Sequence, residues 1–450
     1  MREPTIYALA SGRGRAGIAV IRVSGPAVRD AAAALTSADL PVRRAVRVSF
    51  TDPDSGELLD RGLAIFFPGP ASFTGEDVLE LHVHGGLAVV DGVLAALSRL
   101  DVLRLADPGE FTRRGFENGK IDLTAAEGVA DLVAAETAGQ RRQALAQMGG
   151  ALAEFTEGAR ARLVAALAHW EAAIDFSDEE LPADLEGRVV AEAEALATEI
   201  SGHLADGHRG ERLRQGVDVA IVGAPNAGKS SLLNRLARRD AAIVSENAGT
   251  TRDIIEVHFE LAGYPVILAD TAGLRDAAGE IEAEGVRRAL ERARRADLRI
   301  VVLDGVGAAD GSGAGAESLD WIADGSLVAV NKTDAMDRAA PDRIEGVPAI
   351  GISAKTGDGI DKLLAALEGE VARIFAGQAA PLVTRARHRE ALAETRAALE
   401  RFLGAENRLA APELAAEDLR LAARSLGRIT GSVDVEDLLD VIFADFCIGK

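Results

Sequence analysis

Cysteine is almost missing from this chain, with one residue, Cys447, in 450. That excludes an internal disulfide framework and suits a reducing compartment. Long apolar runs are missing too. None approaches the roughly 18 uninterrupted residues of a membrane-spanning helix, so no membrane association is expected. Residues 1–10 carry an early acid, Glu3, and a proline, Pro4, with no long apolar core. No secretory leader is read there, and a cytoplasmic location is expected. Positive charge is in deficit: 50 Lys and Arg against 71 Asp and Glu leave a net charge of −21. Such a balance favours solubility and argues against a broadly cationic surface for nucleic acid or membrane. Any RNA contact must therefore be local. The first 50 residues reverse the balance, with eight arginines against three acids, and read either as a solvated face or as a basic contact region.

What is present is concentrated in four stations. Gly223, Ala224, Pro225, Asn226, Ala227, Gly228, Lys229 and Ser230 form a G-x-x-x-x-G-K-S phosphate loop, followed by Ser231. The apolar run Val217–Val222 has strand character, so the glycines fall where a buried parallel strand turns into a helix. Backbone N–H groups there can close around a β-phosphate at the helix N-terminus. Lys229 would reach the β- and γ-phosphates, and the Ser230 hydroxyl would ligate Mg²⁺. A Gly-rich turn without a ligand is the plain alternative for a lone match; the later stations weigh against it.

Residues 264–269 form a second apolar run ending in Asp270, from which a carboxylate can hold Mg²⁺ through water. Thr271, Ala272 and Gly273 follow, the last offering its N–H to the γ-phosphate. Runs at residues 298–303 and 327–330 supply further strands. The second delivers Asn331, Lys332, Thr333 and Asp334 at its carboxyl end, where an open α/β sheet binds ligands. Asp334 can accept N1–H and N2–H₂ of guanine together, whereas adenine presents an acceptor at N1, so the nucleotide is GTP and not ATP. Ser353, Ala354 and Lys355 complete the set.

The chain has room for roughly two to four domains with buried cores. Residues 1–118 alternate short β-rich runs (18–23, 63–67, 78–83) with Gly- and Pro-rich turns, reading as an α/β or α+β domain. Asn118-Gly119 is a turn signal. Thr124 with Glu127 is a capping-box pattern opening an Ala-rich helical part over residues 119–214, interrupted near 175–182. The nucleotide-binding domain spans 215–376 and closes with a helix after Gly359 and Ile360. A linker near 377–381 opens a second helical part, 377–450. Either one helical domain built from both flanks or two separate modules would explain these blocks. The expected fold class is a multidomain chain, α/β plus all-α.

Three motifs are ambiguous. Gly12, Gly14 and Gly17 fit G-x-G-x-x-G, but β-branched residues follow where a dinucleotide site needs a helix. Glu80, His82 and His84 alternate on one strand face; no further Cys or His cluster completes a metal site, and polar-face residues are the simpler reading. The terminal Cys447-Ile448-Gly449-Lys450 is a poor lipid box, because Gly occupies its third position and Lys its last. A frayed tail or a docked reactive thiol are the two readings left.

The order of motifs resembles the MnmE (TrmE) family of tRNA-modification GTPases over essentially the full length. The residues that carry the resemblance beyond the nucleotide stations are Gly17-Ile18-Ala19-Val20-Ile21-Arg22-Val23-Ser24-Gly25, Phe67-Pro68-Gly69-Pro70, Ser72-Phe73-Thr74-Gly75-Glu76-Asp77, Pro108-Gly109-Glu110-Phe111, the inserted layout and the terminal Cys-Ile-Gly-Lys. The resemblance implies an N-terminal folate-binding and dimerising domain, a discontinuous helical domain and an inserted Ras-like P-loop GTPase domain. It also implies action with the flavoprotein MnmG (GidA) as a heterotetramer, adding a carboxymethylaminomethyl-type group at C5 of the wobble uridine of certain tRNAs. A tetrahydrofolate derivative, 5-formyl or methylene, would supply the one-carbon unit. By position, the folate contacts would be Arg22, Glu80, Lys120 and Lys450, and the family's tail cysteine matches Cys447.

Leu274 follows Gly273 where a Ras-type enzyme has its water-orienting glutamine. The resemblance assigns that work to Glu282 and to a K⁺ ion in place of an arginine finger. From the residues alone Glu282 reads as a solvated helix carboxylate. Asn226 of the phosphate loop would hold the K⁺ along with Ser245, Asn247 and Thr250, in a loop that also contains Glu246, Ala248 and Gly249, and Thr251 would join Ser230 on Mg²⁺. Arg252 and Arg275 could support the switches or make surface pairs. The rival class is a ribosome-associated assembly GTPase that makes no covalent change to RNA; it would lack the folate-type domain and the tail.

Overall fold

The computed structural model describes residues 4–175, 185–206, 208–238, 242–243, 256–270, 287, 290–308, 316–322, 325–376, 381–405, 408, 411–433, 436–444, 446 and 448–449. The chain forms two compact units. One comprises Met1–Ala130, Gln147–Leu196 and Glu394–Lys450; the other comprises Asp131–Ala146 and Ala197–Ala393.

The first unit is built on a six-stranded sheet in the order β3-β4-β5-β2-β1-β6. Its strands are β1 (Thr5–Leu9), β2 (Ala16–Ser24), β3 (Val46–Thr51), β4 (Leu58–Phe67), β5 (Val78–Gly85) and β6 (Leu103–Leu105). Only β1 and β6 pair in parallel. Alternation decides the two faces. Ile21, Val23, Leu79, Leu81, Ala64 and Phe50 bury one face beneath the helices Val28–Leu35 and Leu87–Ser98. Arg22, Glu80 and His82 fall on the other. Residues 11–15 lead directly into β2, so the glycine-rich segment opens a strand and not a helix.

Helices from both flanks pack together in this unit. Trp170, on Ala151–Asp175, donates from Nε1 to the Pro412 carbonyl at 2.9 Å and meets Phe402 edge-on at 5.3 Å. On the helix Pro412–Thr430, Arg420 pairs with Glu171 at 2.6 Å and Thr430 donates to Glu157 at 2.7 Å. The helical domain is thus discontinuous, built from residues before and after the nucleotide-binding segment. Its entry differs from the capping box read at Thr124. Asp122 caps the helix Leu123–Ala134, accepting from the Ala125 N–H at 2.9 Å and from the Thr124 hydroxyl at 2.6 Å. Thr124 and Glu127 are buried instead.

The chain's last helix, Glu436–Ala444, lies on Glu110–Glu117. Arg113 pairs with Asp440 at 2.7 Å, and Phe443 and Phe446 share a core with Leu123 and Ala126. Beyond it Ile448 bridges to Pro108. Gly449 (φ +97) approaches β1 so closely that an added Cβ would lie 2.0 Å from the Leu9 carbonyl oxygen, which reserves the position for glycine. These two tail residues are docked and not frayed.

The second unit carries an eight-stranded sheet in the order β13-β14-β12-β11-β7-β10-β9-β8. The strands are β7 (Val217–Val222), β8 (Ala242–Ile243), β9 (Glu256–Leu261), β10 (Tyr264–Asp270), β11 (Leu298–Asp304), β12 (Ser326–Asn331), β13 (Arg343–Ile344) and β14 (Val347–Gly351). The parallel centre runs β10, β7, β11, β12, β14. The inner strands β7, β11 and β12 are mostly buried on both faces and so read as predominantly apolar runs, broken only near their amino ends by Asp218 and Arg299. Residues from the first helical part belong here: the Gly139 N–H donates to the Gly263 carbonyl at 2.9 Å, and Gln140 donates to the Arg214 carbonyl at 3.0 Å. Among the described residues no helix is long and apolar enough to cross a membrane.

Candidate functional site

The carboxyl ends of β7, β12 and β14 bring three of the four stations together. After Val222 the chain turns through Gly223 (φ +146), where an added Cβ would sit 2.1 Å from the Val302 carbonyl oxygen. Only glycine lets the loop leave the sheet beside β11. The loop ends at Gly228 (φ +95), and the helix Lys229–Ala237 begins. Lys229 is 7% exposed, and its ammonium donates to the carbonyls of Gly223 and Ala224 at 2.9 Å each. The cation is therefore held at the mouth of a helix N-terminus, the arrangement that binds a phosphate. Asn226 stands exposed at φ +64, and Ser230 is exposed in the first helical turn.

Asn331 ties the stations to one another. It is 2% exposed; its Nδ2 donates to the Ala227 carbonyl at 2.7 Å and its Oδ1 accepts the Ala354 N–H at 3.0 Å. The Ser353 hydroxyl donates to Asp334 Oδ1 at 2.7 Å, and Lys355 Nζ lies 4.0 Å from Asp334 Oδ2. Lys332 (φ +67) pairs with Asp304 at 2.7 Å. Arg235 Nε donates to the Ala354 carbonyl at 3.1 Å, and its Nη2 bonds the Lys355 carbonyl. Asp304 and Arg235 carry no motif of their own and were not foreseen. Their partners are 28 and 119 residues away, a spacing that no local pattern reveals.

Asp270 closes β10 beside Ile221 of β7. Ser245, Glu246, Asn247, Ala248, Gly249, Thr250, Thr251, Arg252, Thr271, Ala272, Gly273, Leu274, Arg275 and Glu282 lie outside the described residues, as do Cys447 and Lys450.

A second constellation sits on the open face of the first sheet. Arg22 and Glu80 are cross-strand partners on β2 and β5 and pair at 2.9 Å. The Arg22 guanidinium lies 5.8 Å from the Phe73 ring and 5.7 Å from the Phe111 ring. Lys120 is exposed, its stem beside Gly75 in the loop that carries Phe73. His82 reaches Glu80 at 3.3 Å, while His84 turns to Asp60 at 2.9 Å. No metal-binding group of His, Cys, Asp or Glu occurs among the described residues.

Beneath this face lies an ionic network that sequence reasoning missed. Arg114 is 2% exposed and holds Glu76 at 3.0 Å and Glu110 at 2.8 Å; Glu110 also accepts from Arg104 at 2.6 Å. Burial pushes the Glu110 carboxyl upward. The bonds from Arg104, the Asp107 N–H and Arg114 outweigh it and hold the pKa below the usual carboxylate value. Burial likewise opposes the Arg114 charge, and Glu110 and Glu76 overcome it, so that pKa is raised. Ser24 donates to Glu76 at 2.8 Å, joining β2 to the network. The signal was present in Glu76 and Glu110, which stand inside two of the quoted motifs.

Residues 5–120 match the family model described as GTP-binding protein TrmE N-terminus, and residues 123–447 match the MnmE helical domain. The chain is 59% identical over 448 residues to the tRNA modification GTPase MnmE of Parvibaculum lavamentivorans, covering 99% of this chain and 100% of the relative. It is 58% identical over 450 residues to that of Paramagnetospirillum magneticum, covering 99% of each. Among solved structures, the G domain of the T. maritima FeoB iron transporter aligns with 36% of this chain and 99% of its own at 26% identity, with a TM-score of 0.26.

Proposed function

The chain belongs to the MnmE family of tRNA-modification GTPases, and from that premise we propose that it couples GTP hydrolysis to modification of C5 of a tRNA wobble uridine. In this reading it acts as a cytoplasmic homodimer with the flavoprotein MnmG (GidA), adding a carboxymethylaminomethyl-type group whose one-carbon unit comes from a tetrahydrofolate. The observation that supports the reading is the full-length match to relatives named tRNA modification GTPase MnmE, by a chain that holds both a phosphate loop and the Arg22–Glu80 pair with its docked tail.

The residue types present suit the groups this chemistry requires, and the described ones (Lys229, Ser230, Asn226, Asp334, Arg22, Glu80 and Lys120) support the reading. Lys229 and the loop N–H groups bind and orient the β- and γ-phosphates, and Ser230 with Thr251 would hold Mg²⁺, which neutralises charge on the phosphates. Asn226, Ser245, Asn247 and Thr250 would hold K⁺, which supplies positive charge where transition-state charge collects. Glu282 orients the attacking water, since Leu274 cannot. Asp334 selects guanine, and its bond from Ser353 keeps the carboxylate aimed. Arg22, Glu80, Lys120 and Lys450 suit a folate, whose glutamate carboxylates need cations and whose pterin needs an acceptor. Phe73 and Phe111 add aromatic surface beside Arg22.

The test is a chain truncated after Phe446. It should lose 5-formyltetrahydrofolate binding and wobble-uridine modification while keeping intrinsic GTP hydrolysis, because no phosphate-loop element is touched. A truncated chain that still supports modification would remove Lys450 and Cys447 from the chemistry.

A further inference from the structure

Between Glu3 and Asp30 the sequence holds four arginines and no acid. The fold treats the four in two ways. Arg22 pairs with Glu80, and Arg29 faces Asp77 at 3.7 Å while lying over the Phe66 ring. Arg13 and Arg15 stand exposed on the segment between β1 and β2, and among the described residues neither has a hydrogen-bond or ion-pair partner. In a chain of net charge −21, two neighbouring cations left unneutralised mark a place where an external polyanion meets little repulsion.

The loop has a firm base and an open tip. The Ala10 N–H donates to the Val20 carbonyl at 2.8 Å, and the Val20 N–H donates to Ser11 Oγ at 3.1 Å. Gly14 needs glycine for its φ of +117. A Cβ added at Gly12, Gly14 or Gly17 would meet no atom within 4 Å, so crowding by this chain's own atoms does not explain these glycines. The bare backbone leaves both guanidinium groups approachable from outside. A guanidinium stays charged and matches phosphate geometry with two parallel bonds.

Location gives the loop its meaning. Gly449 of the docked tail presses on Leu9 and Ala10, and three Cα steps, at most about 11 Å, separate Ala10 from Arg13. We propose that Arg13 and Arg15 bind the phosphate backbone of the tRNA, holding it beside the tail. The proposal rests on the tRNA-modifying reading above and names the residues that hold that substrate.

The experiment compares the full-length wild type with Arg13→Ala/Arg15→Ala and Arg13→Lys/Arg15→Lys, measuring affinity for an unmodified tRNA transcript against salt. Each lost phosphate contact should flatten the log–log salt slope by about 0.7–0.9, so the alanine pair should flatten it by about 1.5 and weaken binding on the order of tenfold at low salt. The lysine pair should keep the slope. GTP hydrolysis, 5-formyltetrahydrofolate binding and sedimentation mass should be unchanged in both. An alanine pair with wild-type slope and affinity would overturn the assignment. So would a changed sedimentation mass, which would make the loop a protein contact. A wild type with no salt-dependent affinity for tRNA would instead contradict the tRNA-modifying reading itself.

Discussion

The side-chain amide of Asn331 donates to the backbone carbonyl of Ala227 at 2.7 Å, fastening the end of β12 to the phosphate loop. Its oxygen accepts from Ala354, so one buried side chain holds three segments far apart in sequence. The packing is tight: a Cβ on Gly228 would lie 2.2 Å from Asn331 Nδ2. Asn331→Ala should therefore destabilise the chain even without nucleotide, since it strands a buried carbonyl and a buried N–H at about 1–3 kcal/mol each. Thermal melting of the nucleotide-free variant checks this. An unchanged melting temperature would show that the Asn331 bonds to Ala227 and Ala354 do not hold the fold.

Asp334→Asn should weaken GTP by on the order of 2–3 kcal/mol and shift preference toward xanthosine triphosphate, because the amide presents a donor where guanine N2–H₂ needs an acceptor. Calorimetric titration with both nucleotides reads the switch. Equal GTP affinity in the folded variant would take Asp334 out of the base site.

Hydrolysis should run far faster in K⁺ than in Na⁺ at equal ionic strength. The side chain to delete is Asn226, but at its φ of +64 alanine is a poor probe, since asparagine tolerates the left-handed region better than alanine and backbone strain would mix with loss of the amide. Asn226→Gly removes the side chain without that strain and should blunt the K⁺ dependence while nucleotide affinity holds. Equal turnover of the wild type in the two salts would exclude a cation at this position.

Strands of the nucleotide unit were legible because burial on both faces writes a predominantly apolar run, in β7 broken only by Asp218. Val217–Val222 was delimited correctly, and the runs ending at Asp270 and Asn331 were placed to within a residue. Helix entry was harder: Asp122 and Thr124 are both good caps, and only the bonds distinguish them. The fastening of Lys332 by Asp304, of the Ala354 loop by Arg235 and of Glu76 by Arg114 could not be read at all. Such pairs obey no period; they exist only once the sheet has set the strand order. The docking of Ile448 and Gly449 belongs to the same class, since nothing in four tail residues names Pro108 or Leu9 as neighbours.

The Arg114 network predicts a pH dependence with a definite sign. Glu110 has its pKa depressed in the folded state, so its contribution to stability is complete above the ordinary carboxylate value of about 4.3 and is lost as pH falls through the lower folded value. Glu110→Gln should be less stable at pH 7, on the order of 2–3 kcal/mol, because the buried Arg114 and the half-exposed Arg104 lose a charged partner. The gap from wild type should close on acidification below about pH 4. Denaturant melts from pH 7 to pH 3 measure it, and parallel curves would show that Glu110 carries no coupled charge.

The most direct test of the account is mass spectrometry of wobble uridine in tRNA from a strain lacking this chain. The deletion should leave C5 unmodified in a subset of tRNAs, with restoration by the wild-type chain and not by Asp334→Asn. Full modification in the deletion strain, or unmodified wobble positions that the wild-type chain does not restore, would contradict a tRNA-modifying role and return the chain to a GTPase whose hydrolysis serves another end.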